Sequence, residues 1–270
     1  MSIYEDAFFT IYFCLIAAIL GACLGSFLNC AAWRIVRNES FVKGRSRCPS
    51  CGHELGVTDL IPVVSWVMLK GRCRYCKTTV SWRYPAAELF FAVLTVGCLL
   101  RFDLTVICGR NLVLLCCLFC LALVDLESYI IPDGCHITAA GAWILGAFIA
   151  PEAYGGISGI LVHVAAGIVI GGAVLVISLI MDKVLGKDSL GGGDIKLLAV
   201  MGLYLGFAGS MFGIILACII GLLSAAAGKK NNTDKEASGQ IPFGPAIAAA
   251  MCIMLFIGDG LVEWYMGLMI

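Results

Sequence analysis

The sequence predicts an all-α polytopic membrane protein with about eight transmembrane helices and a cytoplasmic four-cysteine loop. Three observations carry this expectation. The chain is 61% hydrophobic and only 13% charged, with a mean hydropathy of +0.98, well outside the range of soluble domains. Its apolar residues fall into blocks of about the 20 residues that cross a bilayer. Its cations are concentrated between blocks, ten of the eighteen Lys and Arg lying between Arg34 and Arg83. Net charge is zero, and the partner this composition implies is a lipid bilayer, with no nucleic acid expected.

The apolar blocks are 7–32, 85–103, 111–126, 134–151, 157–181, 195–208, 210–227 and 241–258. The first is a transmembrane helix rather than a cleavable signal peptide, because Glu5 and Asp6 stand where a basic n-region belongs. The stretch 195–227 is too long for one span and divides between Gly206 and Gly209, with one long tilted helix as the alternative. The pairs Gly155/Gly159, Gly167/Gly171, Gly202/Gly206 and Gly209/Gly213 suit close helix packing. The polar stretch Lys229 to Gly239 reads as a solvated connector.

With the N-terminus outside, the loops 33–84, 127–133, 182–194 and 228–240 face the cytoplasm. Together with Lys196 they hold sixteen of the eighteen Lys and Arg, leaving Arg101 and Arg110 outside. The positive-inside rule selects this orientation.

The first long loop carries Cys48-Pro-Ser-Cys51 and, after twenty-one intervening residues, Cys73-Arg-Tyr-Cys76. Two CxxC knuckles at this separation have the spacing of a four-thiolate zinc site. A closed site of that kind is structural, and the metal folds a loop too small for its own core. A redox or unmetallated dithiol pair is the alternative. His53 is expected at the surface, since four cysteines complete the shell. The other eleven cysteines lie in apolar segments and read as small hydrophobes.

Asp194 follows Gly191-Gly192-Gly193 at the entrance to an apolar block. An aspartate entering a membrane helix is costly and marks a functional candidate. Glycines beside it leave room for a second backbone, such as a peptide substrate. Asp125 closes the third span as that span reaches the cytoplasm, so both acids fall at one face. Pro132 ends the preceding helix, and Asp133 is expected as N-cap of the fourth span. Glu127 reads as a headgroup-level charge. Two carboxyls at one depth fit an aspartic protease dyad, in which one is ionised and activates water while the other stays protonated and hydrogen-bonds the scissile carbonyl. On spacing alone, a structural acid pair or the proton relay of a transporter fits equally well. The three histidines form no HExxH motif, and GxSxG is absent.

These residues resemble the type IV prepilin leader peptidases, bacterial GxGD membrane aspartic proteases. The resemblance runs nearly end to end: Gly25-Ser-Phe-Leu-Asn29 with Arg34, the four cysteines, Pro62-Val-Val-Ser65-Trp66, Gly71-Arg-Cys73, Arg83-Tyr-Pro85 with Glu88-Leu89, Asp125 with Pro132-Asp133, and Gly191-x-Gly193-Asp194-x-Lys196. It implies that Asp125 and Asp194 form the dyad, supported by Gly191, Gly193 and Lys196. It also implies that a pilin or pseudopilin precursor loses a short basic leader after glycine at the cytoplasmic face of the bacterial plasma membrane. Acidic Glu127 and Asp133 are candidates to meet that leader. Many members then methylate the new N-terminus from S-adenosylmethionine, while some relatives only cleave. The implied organisation is a putting-together of residues 1–84, the first helix and zinc loop with methyl transfer, and residues 85–270, the peptidase. Glu127 departs from the aspartate that many members carry there. A proton-coupled transporter and a zinc-scaffolded assembly protein are the alternatives from other classes.

Overall fold

The apolar blocks become helices because, in lipid, each backbone N–H and C=O must be satisfied within its own segment. The computed structural model describes residues 6–186, 189–231 and 242–269. Its α-helices are α1 (Ala7–Val36), α2 (Val64–Met68), α3 (Arg83–Phe102), α4 (Val106–Ser128), α5 (Asp133–Ile149), α6 (Gly156–Leu185), α7 (Gly192–Asn231) and α8 (Gly244–Met269). The described residues contain no strand, only two isolated bridges in the loop before α3. Six of the helices, α1, α3, α4, α6, α7 and α8, are long and apolar enough to cross a membrane. The 17-residue α5 is shorter than these. α8 continues past the expected limit at 258, through Asp259 and Glu263. Most of the expected connector at 229–239 lies outside the described residues.

α7 is not one continuous rod. Gly206 takes φ 65° and ψ −169°, a region that residues with a Cβ almost never occupy. A Cβ on Gly213 would lie 2.8 Å from Sδ of Met201, whereas twelve residues of unbroken helix would hold them about 18 Å apart. The chain therefore folds back at Gly206, and 195–227 forms two short helical arms, as its length predicted.

The chain comprises two compact units, Met1–Leu112 and Val113–Ile270. In the first, α1 packs on α3 through glycine. A Cβ at Gly21 would stand 2.6 Å from Thr95 Oγ1, and one at Gly25 would stand 2.9 Å from Phe91 Cβ, so the two backbones approach closely. Arg34, at the end of α1, is buried and donates to the carbonyls of Ser40, Lys43 and Arg45 at 3.0–3.1 Å. Five N–H donors on one planar group suit it to gather a turn of carbonyls. Glu88 accepts the Val63 N–H at 2.7 Å, fixing a β-branched residue at φ 60°, a costly conformation without such support.

In the second unit, Gly167 and Gly171 of α6 face Gly202 and Ala199 of α7: a Cβ on Gly202 would lie 2.6 Å from the Gly167 Cα. Large apolar side chains such as Ile157, Leu161, Ile168 and Val176 of α6 remain exposed. On a soluble protein they would form an adhesive surface, and here they form a lipid-facing one.

Candidate active site and four-cysteine cluster

Each CxxC is a tight hairpin built the same way. Cys48 N–H donates to the His53 carbonyl at 3.0 Å and Gly52 N–H to the Cys48 carbonyl at 2.9 Å; Cys73 N–H donates to the Thr78 carbonyl at 2.9 Å and Lys77 N–H to the Cys73 carbonyl at 3.1 Å. The residue after the second cysteine turns to positive φ in both, 71° at Gly52 and 61° at Lys77. The four Sγ atoms lie within 4.8 Å of one another, and Cys48 Sγ is 3.8 Å from Cys76 Sγ. A tetrahedral zinc with Zn–S of about 2.3 Å has S···S edges of about 3.8 Å, so the cluster has the size of a zinc shell. The Thr78 hydroxyl and backbone hold the Cys76 thiol down to about 6, which favours a thiolate there, while the neighbouring Cys51 is pushed up to about 11. His53 stacks on Tyr75 at 3.6 Å between ring centroids and is not one of the clustered ligands. Asp59, held below the usual carboxylate range by Arg74, receives Arg74 Nε at 2.6 Å and the Tyr75 hydroxyl at 3.2 Å, fastening the second knuckle.

The acids meet in the second unit. Asp125, one turn before the end of α4, is 4% exposed. Its Oδ2 accepts the backbone N–H of Gly244 at 3.0 Å, so the carboxyl sits against the N-terminus of α8, where unpaired N–H groups and the helix dipole favour an acid. Asp194 occupies the first turn of α7, which starts with Asp194 N–H donating to the Gly191 carbonyl at 3.0 Å. Its Oδ1 is sealed from solvent with no hydrogen-bond partner. One side chain packs on both segments beside them: Ile131 Cβ lies 2.9 Å from where a Gly193 Cβ would be, and Ile131 Cδ1 lies 2.9 Å from where a Gly244 Cβ would be. The two acids are near enough for their charges to interact.

The glycines divide their work. A Cβ on Gly191 would stand 3.2 Å from Asp194 Oδ2, so glycine there leaves that oxygen approachable. The clearance at Gly193 is filled by Ile131 rather than left open for a peptide. Lys196 Nζ binds Asp133 Oδ1 at 2.6 Å, tying the start of α7 to the start of α5. Asp133 does not cap α5, because the cap position falls on Pro132 and makes no side-chain bond. With Lys196 beside it, the carboxylate spends its charge on an ion pair instead. Glu127 is exposed.

Two family models match the chain: the bacterial peptidase A24 N-terminal domain over residues 19–102, and the type IV leader peptidase family over residues 112–226. Among curated proteins, a prepilin leader peptidase/N-methyltransferase of Myxococcus xanthus is 34% identical over 83% of this chain and 68% of its own length. One of Bacillus subtilis is 32% identical over 92% of this chain and 95% of its own. One of Pseudomonas putida is 30% identical over 92% of each. This chain belongs to the type IV leader peptidase family. No solved structure matches it significantly.

In this leader peptidase family member, the N-terminal match contains all four clustered cysteines and the second match contains both Asp125 and Asp194. Gly244 lies beyond both, and its role is not legible in sequence, since a backbone N–H has no side-chain signature. The available signal was Pro242-Phe-Gly-Pro245, a glycine between prolines at the start of an apolar block. Ile131 was missed as an ordinary apolar residue. His136, 6% exposed, carries no such signal either: neither ring nitrogen reaches a hydrogen-bond partner, and the Asp133 carboxylate stands 3.9 Å away.

Proposed function

We propose that the chain is a membrane aspartic endopeptidase that removes the basic leader of type IV prepilin-like precursors after glycine, with Asp125 and Asp194 as its dyad. The observation that carries this is the convergence of a buried and a half-buried carboxyl, 69 positions apart in sequence, around Ile131. One carboxylate takes a proton from water, and the other, protonated, hydrogen-bonds the scissile carbonyl. The tetrahedral intermediate then collapses as a proton passes to the leaving amine. The Gly244 N–H holds one oxygen of Asp125, fixing that carboxyl so that it need not reorganise during the reaction. The open side of Asp194 at Gly191 is where an extended leader would pass, with exposed Glu127 as a candidate to meet its basic residues. Both acids stand at helix ends, which favours a peptidase at a membrane face over a transporter with acids at mid-bilayer.

The cation count supports an orientation with the N-terminus outside and the dyad at the cytoplasmic face of a bacterial plasma membrane. Methylation of the new N-terminus from S-adenosylmethionine is proposed from the relatives' names, with the N-terminal region as its place, and no residue is assigned to the donor. The test is purified protein in liposomes given a prepilin and labelled S-adenosylmethionine. Cleavage after the leader glycine with label on the mature N-terminus is expected. Cleavage without label would leave a peptidase only, and an intact precursor would overturn the assignment.

Cys48, Cys51, Cys73 and Cys76 would hold one structural zinc, which supplies cross-linking and no chemistry. Replacing all four by serine is expected to abolish bound zinc, read by elemental analysis, and to lower the thermal midpoint. A variant of unchanged midpoint would remove the folding role.

A further inference from the structure

Cys98 and Cys108, two of the eleven cysteines in apolar segments, face each other across the shortest interhelical turn in the first unit. Cys98 lies in the last turns of α3 and Cys108 in the first turn of α4, with only Asp103, Leu104 and Thr105 between the helices. Their Sγ atoms are 3.9 Å apart, and Cys98 Sγ is 3.6 Å from the Cys108 carbonyl. Cys98 is fully buried, while Cys108 is partly exposed.

Their place along α3 gives the pair its chemistry. α3 begins at Arg83, next to the four-cysteine loop, and its 20 residues span about 30 Å, one hydrocarbon core. The loop thiols stand at one end of this helix and the Cys98–Cys108 pair at the other, so the bilayer separates them. Four thiolates that hold zinc need a reducing compartment, and the cation count assigns the opposite face to the outside, where disulfides persist.

We propose that Cys98 and Cys108 form a disulfide at the outer face, stapling α3 to α4. A disulfide-bearing thiol oxidant of the outer compartment would be attacked by the accessible Cys108 thiolate, giving a mixed disulfide. Cys98 thiolate then attacks Cys108 Sγ, closing the intramolecular bond and expelling the oxidant's thiolate. The two thiol protons end on the oxidant's sulfurs, and the two electrons reduce its disulfide to the dithiol. Side-chain rotation brings the sulfurs from 3.9 Å to the bonded distance of about 2.05 Å.

The inference rests on the orientation given above and not on the peptidase activity. Membranes holding the full chain are quenched in denaturant with one maleimide, reduced, and relabelled with an isotopically heavier one, and the peptides are read by mass spectrometry. Cys98 and Cys108 are expected to carry the second label in most molecules, and the four loop cysteines the first. In Cys108→Ser, Cys98 should move to the first label. First-label Cys98 and Cys108 in the intact chain would overturn the disulfide. A Leu104→Cys variant in intact cells separates the two ways of failing. Its labelling by a membrane-impermeant maleimide is expected, whereas protection from that reagent would refute the orientation and the proposal together.

Discussion

Asp194→Asn should cleave a reconstituted prepilin about 10²- to 10⁴-fold more slowly than the parent chain, the range for loss of a positioned acid–base group. Asparagine fills nearly the same space but can neither accept a proton from water nor deliver one to a leaving amine. The fold has little to lose: Asp194 Oδ1 has no hydrogen-bond partner, so no bond to that oxygen is broken. Thermal midpoint and zinc content should therefore match the parent while the rate falls, and a rate within a few-fold of the parent would remove Asp194 from the chemistry. Asp125→Asn should lose a comparable factor. Its Oδ2 accepts from Gly244, and a carboxamide presenting its oxygen can still do so.

Gly244→Ala is the second large effect, and it acts without touching a titratable group. The added Cβ would meet Asp125 Oδ2 at 2.7 Å and Ile131 Cδ1 at 2.9 Å, closer than real contacts permit. Either the carboxyl or the start of α8 must move. A misplacement of about 1 Å costs on the order of 10²-fold in rate, and the overpacking about 1–3 kcal/mol in stability. Gly260→Ala, on the same helix with nothing within 4 Å of its Cβ position, is the control and should retain full rate. Equal rates for the two variants would show that the contact between Asp125 and α8 is not needed for cleavage.

These two sites differ in how far the sequence exposed them. Asp194 was legible because a carboxylate behind three glycines at a membrane edge is chemically expensive, and Asp125 because the cation pattern brought it to the same face. The break in α7 was legible as well: 33 apolar residues exceed one span, and the expected division between Gly206 and Gly209 falls at Gly206. The four-cysteine cluster was visible in its spacing. By contrast, the bond that orients Asp125 comes from a main-chain N–H 119 residues away, and no side-chain pattern announces such a donor. Asp133 looked like a helix cap because caps are local. Its partner proved to be Lys196, 63 residues on, a distance at which local rules are blind. The end of α8 was misjudged because Asp259 and Glu263 interrupt the apolar block without interrupting the helix.

The claim that Asp125 and Asp194 act as one unit is tested most directly by the cleavage rate of the Asp125→Asn, Asp194→Asn double variant beside the two single variants. Groups that share one chemical step are strongly non-additive. The dyad predicts that the double variant retains the same residual rate as either single one. A double variant slower by the product of the two single losses would mean that the acids contribute independently, and would contradict the dyad.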